Sequence, residues 1–391
     1  MNDDGQRTRP VRVAHLHSAL GVYGAERWTL TQLKYLDPAR CEASLITIGA
    51  KPGADIFYRY ALSTGVDATH IAAPGKLSLA AVTALRQHLV AHGIDVLHTH
   101  GFKSDVLGLL ATTGLSVARV STLHGWSADE GFRIRAYEAI GRVALRRFER
   151  IYPLSPALEQ QMKERGFRAE RVRLILNAVD TRAFDACFAV RRTRNAGAPF
   201  RAVFVGRMCQ PKGVGDLIEA VARTRVEGGL QLDLLGDGPE RAAFEELAEK
   251  LGVARQVRFL GAVENVAEHL GAADALILPS YSEGIPRVVM EAMAAGVAVI
   301  GSDIPGIRQL IVDGDTGLLA PVADPSALAQ TIDRLAADPA AAATMVQRAR
   351  ALIDERFSAA RMARNFEDEY AQLAARRRGA ATGRVALGQE S

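Results

Sequence analysis

Leu278-Pro-Ser-Tyr-Ser-Glu283-Gly-Ile-Pro-Arg-Val-Val-Met-Glu291-Ala-Met-Ala-Ala-Gly296 reads as the end of a buried strand, a polar loop and a helix. Pro286 suits the first helical turn, where its missing N–H costs nothing. Glu283 then stands just ahead of the helix, at the carboxyl end of the strand. Glu291 falls inside the helix, and its side chain should lean back toward the helix start. The amides of Ile285, Arg287 and Val288, near that start, have no intrahelical partner and can point at a ligand oxygen. Two carboxylates and free amides therefore converge on one spot, which suits a polyol such as a sugar or a ribose. Spacing alone also allows a plainer reading, a capping acid and an exposed helical acid.

Outward from this stretch, strand and helix patterns alternate. Strands are predicted at 201–205, 230–235, 257–260, 275–278 and 297–300. Helices are predicted at 214–224, 240–251, 263–270, 287–295 and 326–336. The same rhythm runs through the first half, with strands at 11–17, 43–48, 96–100, 118–123 and 172–176. Helices fit there at 25–36, 79–91, 103–113 and 133–149. Alternation of this kind argues for βαβ units and a parallel sheet. Residues 183–199 break it with the basic, aperiodic run Arg-Arg-Thr-Arg-Asn-Ala-Gly-Ala-Pro and read as a linker. The expected fold class is thus α/β, two doubly wound Rossmann-like domains at 1–182 and 200–357 facing a cleft. A helix at 358–376 should pack back on the first domain, and 377–391 reads as a disordered tail.

The chain has 391 residues, a net charge of +4 and three scattered cysteines, a balance that argues against a disulfide framework and gives no case for nucleic acid. No apolar run is long enough to span a membrane, and Met-Asn-Asp-Asp-Gly at the start is not a secretory signal, so a cytoplasmic location is expected.

The segment from Glu283 to Gly296, continued through Asp313-Gly-Asp-Thr-Gly317-Leu-Leu, closely resembles the signature of family-four retaining glycosyltransferases of the GT-B fold. Upstream, Val205-Gly206-Arg207-Met-Cys-Gln-Pro-Lys212-Gly213 resembles that family's phosphate loop. Independently of family, Arg207 and Lys212 lie between a strand end and a helix start, where cations and the helix dipole favour a diphosphate. Gly21-Val-Tyr-Gly24-Ala-Glu26 resembles the family's glycine loop, with Tyr23 replacing the first glycine of the usual pair. Thr122-Leu-His124-Gly125 resembles the segment whose histidine faces the donor sugar. Leu174-Ile-Leu-Asn177-Ala-Val-Asp180 resembles a segment ahead of the linker, with Ala178 in place of glycine.

The resemblance implies transfer of a sugar from a nucleoside diphosphate of UDP or GDP type to a glycan or lipid-linked acceptor, with retained anomeric configuration. It implies no separate cofactor and no active-site metal. His124, Glu283, Arg207 and Lys212 are the expected catalytic residues. Gly24, Arg207, Lys212, Gly284, Ile285, Pro286 and Glu291 are the expected donor-binding residues. His98 and His100, with His15 and His17, read as strand-end histidines rather than metal ligands. A nucleotide-sugar epimerase and a non-catalytic sugar-nucleotide binder share these features. The helix 133–150 carries Arg133, Arg135, Arg142, Arg146, Arg147 and Arg150 among apolar residues, which suits either an anionic membrane surface or a core-packed helix with a charged outer face.

Overall fold

The structure, a computed structural model, describes residues 9–18, 21–49, 53–72, 78–125, 132–190, 197–263 and 265–387, with the side chains of 132–138 and 379–387 left out. The chain separates into two compact units. The first takes the residues up to Leu176 together with those from Ala359 onward, and the second is Asn177–Ser358.

The first unit is built on β1 (Val11–His17), β2 (Cys41–Ile48), β3 (Ala68–Ile71), β4 (Val96–His100), β5 (Ala118–Leu123) and β6 (Arg150–Pro153). They pair in parallel in the order β3-β2-β1-β4-β5-β6. The second unit carries β7 (Phe200–Val205), β8 (Leu230–Leu235), β9 (Val257–Gly261), β10 (Ala275–Leu278), β11 (Ala298–Ser302) and β12 (Leu318–Ala320). These are also parallel, in the order β12-β11-β10-β7-β8-β9. Both faces of such sheets are covered by helices, so central strands such as Ala275-Leu-Ile-Leu278 are continuously apolar and buried. In each sheet the chain starts in the middle, runs to one edge, and then crosses to the other side. The direction reverses between β1 and β4 and between β7 and β10, and the carboxyl ends of those strands are where open α/β sheets bind ligands.

Helix starts follow their local chemistry. The Ser155 hydroxyl accepts from the Leu158 N–H at 3.3 Å, and Pro156 follows it. Asp324 and Asp338 accept from Ala327 and Ala341 at 2.9 Å each, again with proline next in the chain. Each pairing satisfies an N–H that the helix itself leaves open.

Several stretches depart from the sequence expectation. Residues 172–176 are an extended edge rather than a strand. The Arg173 and Ile175 N–H groups donate to Ile151 and Pro153 of β6, but no further strand continues the ladder. The expected helix 133–149 stops at Leu145, and residues 146–149 turn the chain into β6. Part of the linker is helical, at Asp185–Ala189. The last helix spans Ala359–Leu387, well into the stretch expected to be a loose tail, in keeping with the strong helix propensity of its alanines and arginines. This helix belongs to the first unit, where Phe366 and Tyr370 are fully buried. Glu367 fixes it there by accepting from the Asp37 N–H at 2.8 Å and the Arg40 guanidinium at 2.7 Å.

Candidate donor site and histidine network

At the reversal point of the second sheet, the loop after β7 meets the loop after β10. The first contains Arg207 and ends in a short 3-10 turn, Gln210–Lys212. Gly213 follows at φ 67° and caps the helix Val214–Val221. Only glycine serves there: the conformation is left-handed, and a Cβ would overlap the Pro279 carbonyl. The two loops are stitched together. The Tyr281 N–H donates to the Pro211 carbonyl at 2.9 Å, and the Tyr281 hydroxyl donates to Asp216 at 2.9 Å. Burial and this bond together hold the Tyr281 phenol above its usual pKa.

The stitching brings Lys212 Nζ to 2.6 Å from Glu283 Oε1. Two residues far apart in sequence thus share one half-buried ion pair at the carboxyl end of the sheet. A third loop supports them: a Cβ on Gly306 would overlap the carbonyls of Glu283 and Gly284, so the chain after β11 packs directly on that backbone. Arg207 is exposed and has no side-chain partner among the described residues.

The helix Arg287–Ala295 begins beside this pair. Ile285 and Pro286 are buried, whereas Gly284 is open to solvent. Glu291 Oε1 accepts from Arg287 Nε at 2.7 Å, so its carboxylate is held toward the helix start, one turn back. Asn177, which the sequence offers only within the segment ahead of the linker, ties its Nδ2 to the Ile285 carbonyl at 3.2 Å. Neither this tie nor the Tyr281–Asp216 bond leaves a trace in local sequence, because the partners are 108 and 65 residues apart.

Gly24 and His124 lie in the first unit. Gly24 opens the helix Gly24–Tyr35, where the Glu26 carboxylate accepts from the Tyr23 N–H at 2.9 Å. Nothing lies within 4 Å of where a Gly24 Cβ would stand, so packing does not account for the glycine. His124 follows β5, and its Nε2 lies 3.2 Å from His100 Nδ1. His100 Nε2 is in turn 3.1 Å from His15 Nδ1. His98 sits against the Tyr370 hydroxyl at 2.6 Å and the Thr122 hydroxyl at 2.7 Å, and His17 against Thr29 at 2.9 Å. Strand register explains the convergence: His15 pairs with His98 and His17 with His100, and alternate residues share a face. Nitrogens of His15, His98 and His100 lie within 4.8 Å of one another, and His15 Nε2 has no partner among the described residues. Burial holds the whole set neutral, pushing His15 down to about 3 and His124 to about 4.

Chemically, the second-unit loops offer cations, two carboxylates and a helix start to a ligand that combines negative charge with hydroxyls. Residues 190–352 match the family "Glycosyl transferases group 1", and residues 23–178 match "Glycosyl transferase 4-like domain". N-acetyl-alpha-D-glucosaminyl L-malate synthase of Bacillus anthracis is 27% identical over 298 residues, 75% of this chain and 78% of that protein. The lipopolysaccharide core biosynthesis glycosyltransferase LpsE of Rhizobium meliloti is 31% identical over 221 residues, 56% of this chain and 62% of that protein. Among solved structures, Anabaena Alr3699/HepE in complex with UDP and glucose superposes with a TM-score of 0.75 at 22% identity, over 93% of this chain and all of that one. With a doubly wound parallel sheet and a family match in each unit, the chain belongs to the group 1 glycosyltransferases.

Proposed function

We propose that the second unit binds a nucleoside-diphosphate sugar, of UDP or GDP type, and that the enzyme passes the sugar to a glycan or lipid-linked hydroxyl with retained anomeric configuration. The observation that carries this reading is the Lys212–Glu283 pair at the sheet's reversal point, beside Arg207 and a helix start. Lys212 and Arg207 neutralise charge growing on the leaving diphosphate, which is electrostatic stabilisation by groups already in place. Glu283 accepts from donor-sugar hydroxyls and Glu291 from the ribose, while Gly284, Ile285 and Pro286 lead the backbone past the phosphates. His124 and Gly24 are assigned to the donor from the resemblance of their segments. The leaving phosphate oxygen takes the acceptor proton, so neither glutamate is a nucleophile and no metal is invoked. Relatives that include a UDP complex support the donor class.

A thermal-shift panel of UDP-, GDP- and ADP-sugars tests the donor. One nucleotide class should raise the melting temperature, since a ligand at about 100 times its Kd adds about 2.7 kcal/mol. No shift with any of them would remove the donor reading. With the active donor and no acceptor, an epimerised product would instead identify an epimerase.

For the acceptor side, the helix Phe132–Leu145 and the residues after it split by face. Ala144, Leu145 and Phe148 are buried, while Ile140, Val143, Arg146 and Arg147 are exposed. Arg150 is drawn inward, to Glu369 at 3.5 Å, and the side chains of Arg133 and Arg135 lie outside the described residues. Among the described residues, no helix is long and apolar enough to cross a membrane. The exposed apolar and basic residues support peripheral contact with anionic lipid. Sedimentation should show binding to anionic but not to neutral liposomes; equal, negligible binding to both would end this part of the proposal.

A further inference from the structure

The helix Arg287–Ala295 is buried on most of its surface. Val289, Met290 and the run Ala292–Ala295 face the interior. What stays partly open is a single stripe, Arg287, Val288 and Glu291, spaced as one helix face, with exposed Gly284 just ahead of it in the loop. Whatever ligand reaches Glu291 along this stripe therefore also passes Arg287. The guanidinium is committed on one side only. Its Nε donates to Glu291 Oε1 at 2.7 Å, and neither Nη has a hydrogen-bond partner among the described residues. The free edge is the planar fork that matches a phosphate in two parallel hydrogen bonds. Lys212, by contrast, is already engaged with Glu283. Arg287 also changes the charge balance. It stands as a third cation beside Arg207 and Lys212 among the side chains assigned to the donor.

We infer that Arg287 is a donor-site residue with two edges: Nε fixes the Glu291 carboxylate for the ribose, and the Nη fork grips the donor diphosphate. This rests on the donor reading above and assigns it a residue to which the family resemblance gave no side-chain role. One side chain then couples recognition of the sugar of the nucleoside to recognition of its phosphates.

The test is isothermal titration with UDP and GDP, and with the 2′,3′-dideoxy form of whichever binds, on wild type, Arg287→Ala, Arg287→Lys, Glu291→Gln and Lys212→Ala. Loss of a charge-assisted pair to phosphate should weaken diphosphate binding about 10- to 100-fold in Arg287→Ala. The preference for ribose over dideoxyribose should collapse in the same variant, as in Glu291→Gln. Lysine restores a charge but not a two-edged fork, so Arg287→Lys should recover part of the diphosphate affinity and none of the ribose preference. A purely structural role would instead lower the melting temperature and weaken both ligands equally, with no rescue by lysine, and would overturn the inference. If Arg287→Ala binds within twofold of wild type while Lys212→Ala does not bind, the donor site stands and Arg287 is not part of it. If wild type binds neither nucleotide, the donor reading falls and the inference with it.

Discussion

Replacing Lys212 by alanine should lower sugar transfer about 10²- to 10³-fold while leaving the fold in place. That is the scale on which a preorganised group facing developing transition-state charge acts. The side chain is only partly buried and belongs to a loop, so its loss opens no core cavity. Its removal does strand Glu283, whose side chain is 13% exposed and which loses its cation at 2.6 Å. Lys212→Ala/Glu283→Gln should therefore melt measurably higher than Lys212→Ala, while being no more active, because the carboxylate that accepts from the donor sugar is lost as well. Glu291→Ala should act on the other end of the donor, raising KM for the nucleotide sugar as well as lowering kcat. Turnover within a few-fold of wild type in either single variant, with intact circular dichroism, would refute the site.

The second large effect is acid sensitivity of the first unit. His15, His17, His98, His100 and His124 all have pKa values lowered by burial, His15 to about 3. In the unfolded chain they return to about 6.5. The unfolded state then binds more protons below that pH, so stability is full above pH 6.5 and is lost as pH falls from there toward 3. For His15, moving from pH 7 to pH 5 costs about 2 kcal/mol. Asp105 works the other way. It is buried beneath Thr99 and Ser121, its pKa is raised to about 7, and its protonation over the same interval offsets about one histidine. The remaining histidines leave a large net loss. Melting curves at pH 7, 6 and 5 should fall, by roughly 2–4 °C for each kcal/mol at the size of this unit. A midpoint unchanged between pH 7 and 5 would mean that the imidazoles are not held neutral.

How much was legible beforehand differs from element to element. The strands 11–17, 96–100, 118–123 and 275–278 and the helices 79–91 and 287–295 coincide with their sequence readings, because long apolar periods bounded by turn residues leave little choice. The short β3 and β12, the helices Ile56–Ser63 and Pro156–Glu164, and the edge at 172–176 were missed or misread. Each is too short to show a period, and its state depends on which neighbour it pairs with. In the candidate site, Arg207, Lys212, Glu283 and Glu291 could be named from motif and strand-end position. Arg287 was visible only as a backbone amide donor, since its side chain gains meaning from the open stripe it shares with Glu291.

The sequence by itself determined two α/β units, the loops that end their strands, and which acids and bases those loops carry. These are local properties, written in hydrophobic period, in proline and glycine at helix ends, and in motif spacing. Tertiary structure alone decided the pairings. Lys212 meets Glu283 across 71 residues because β7 and β10 are neighbours in the sheet, and His98 meets Tyr370 across 272 because the last helix belongs to the first unit. Contacts of that range are fixed by strand order and helix docking, which no window of sequence contains.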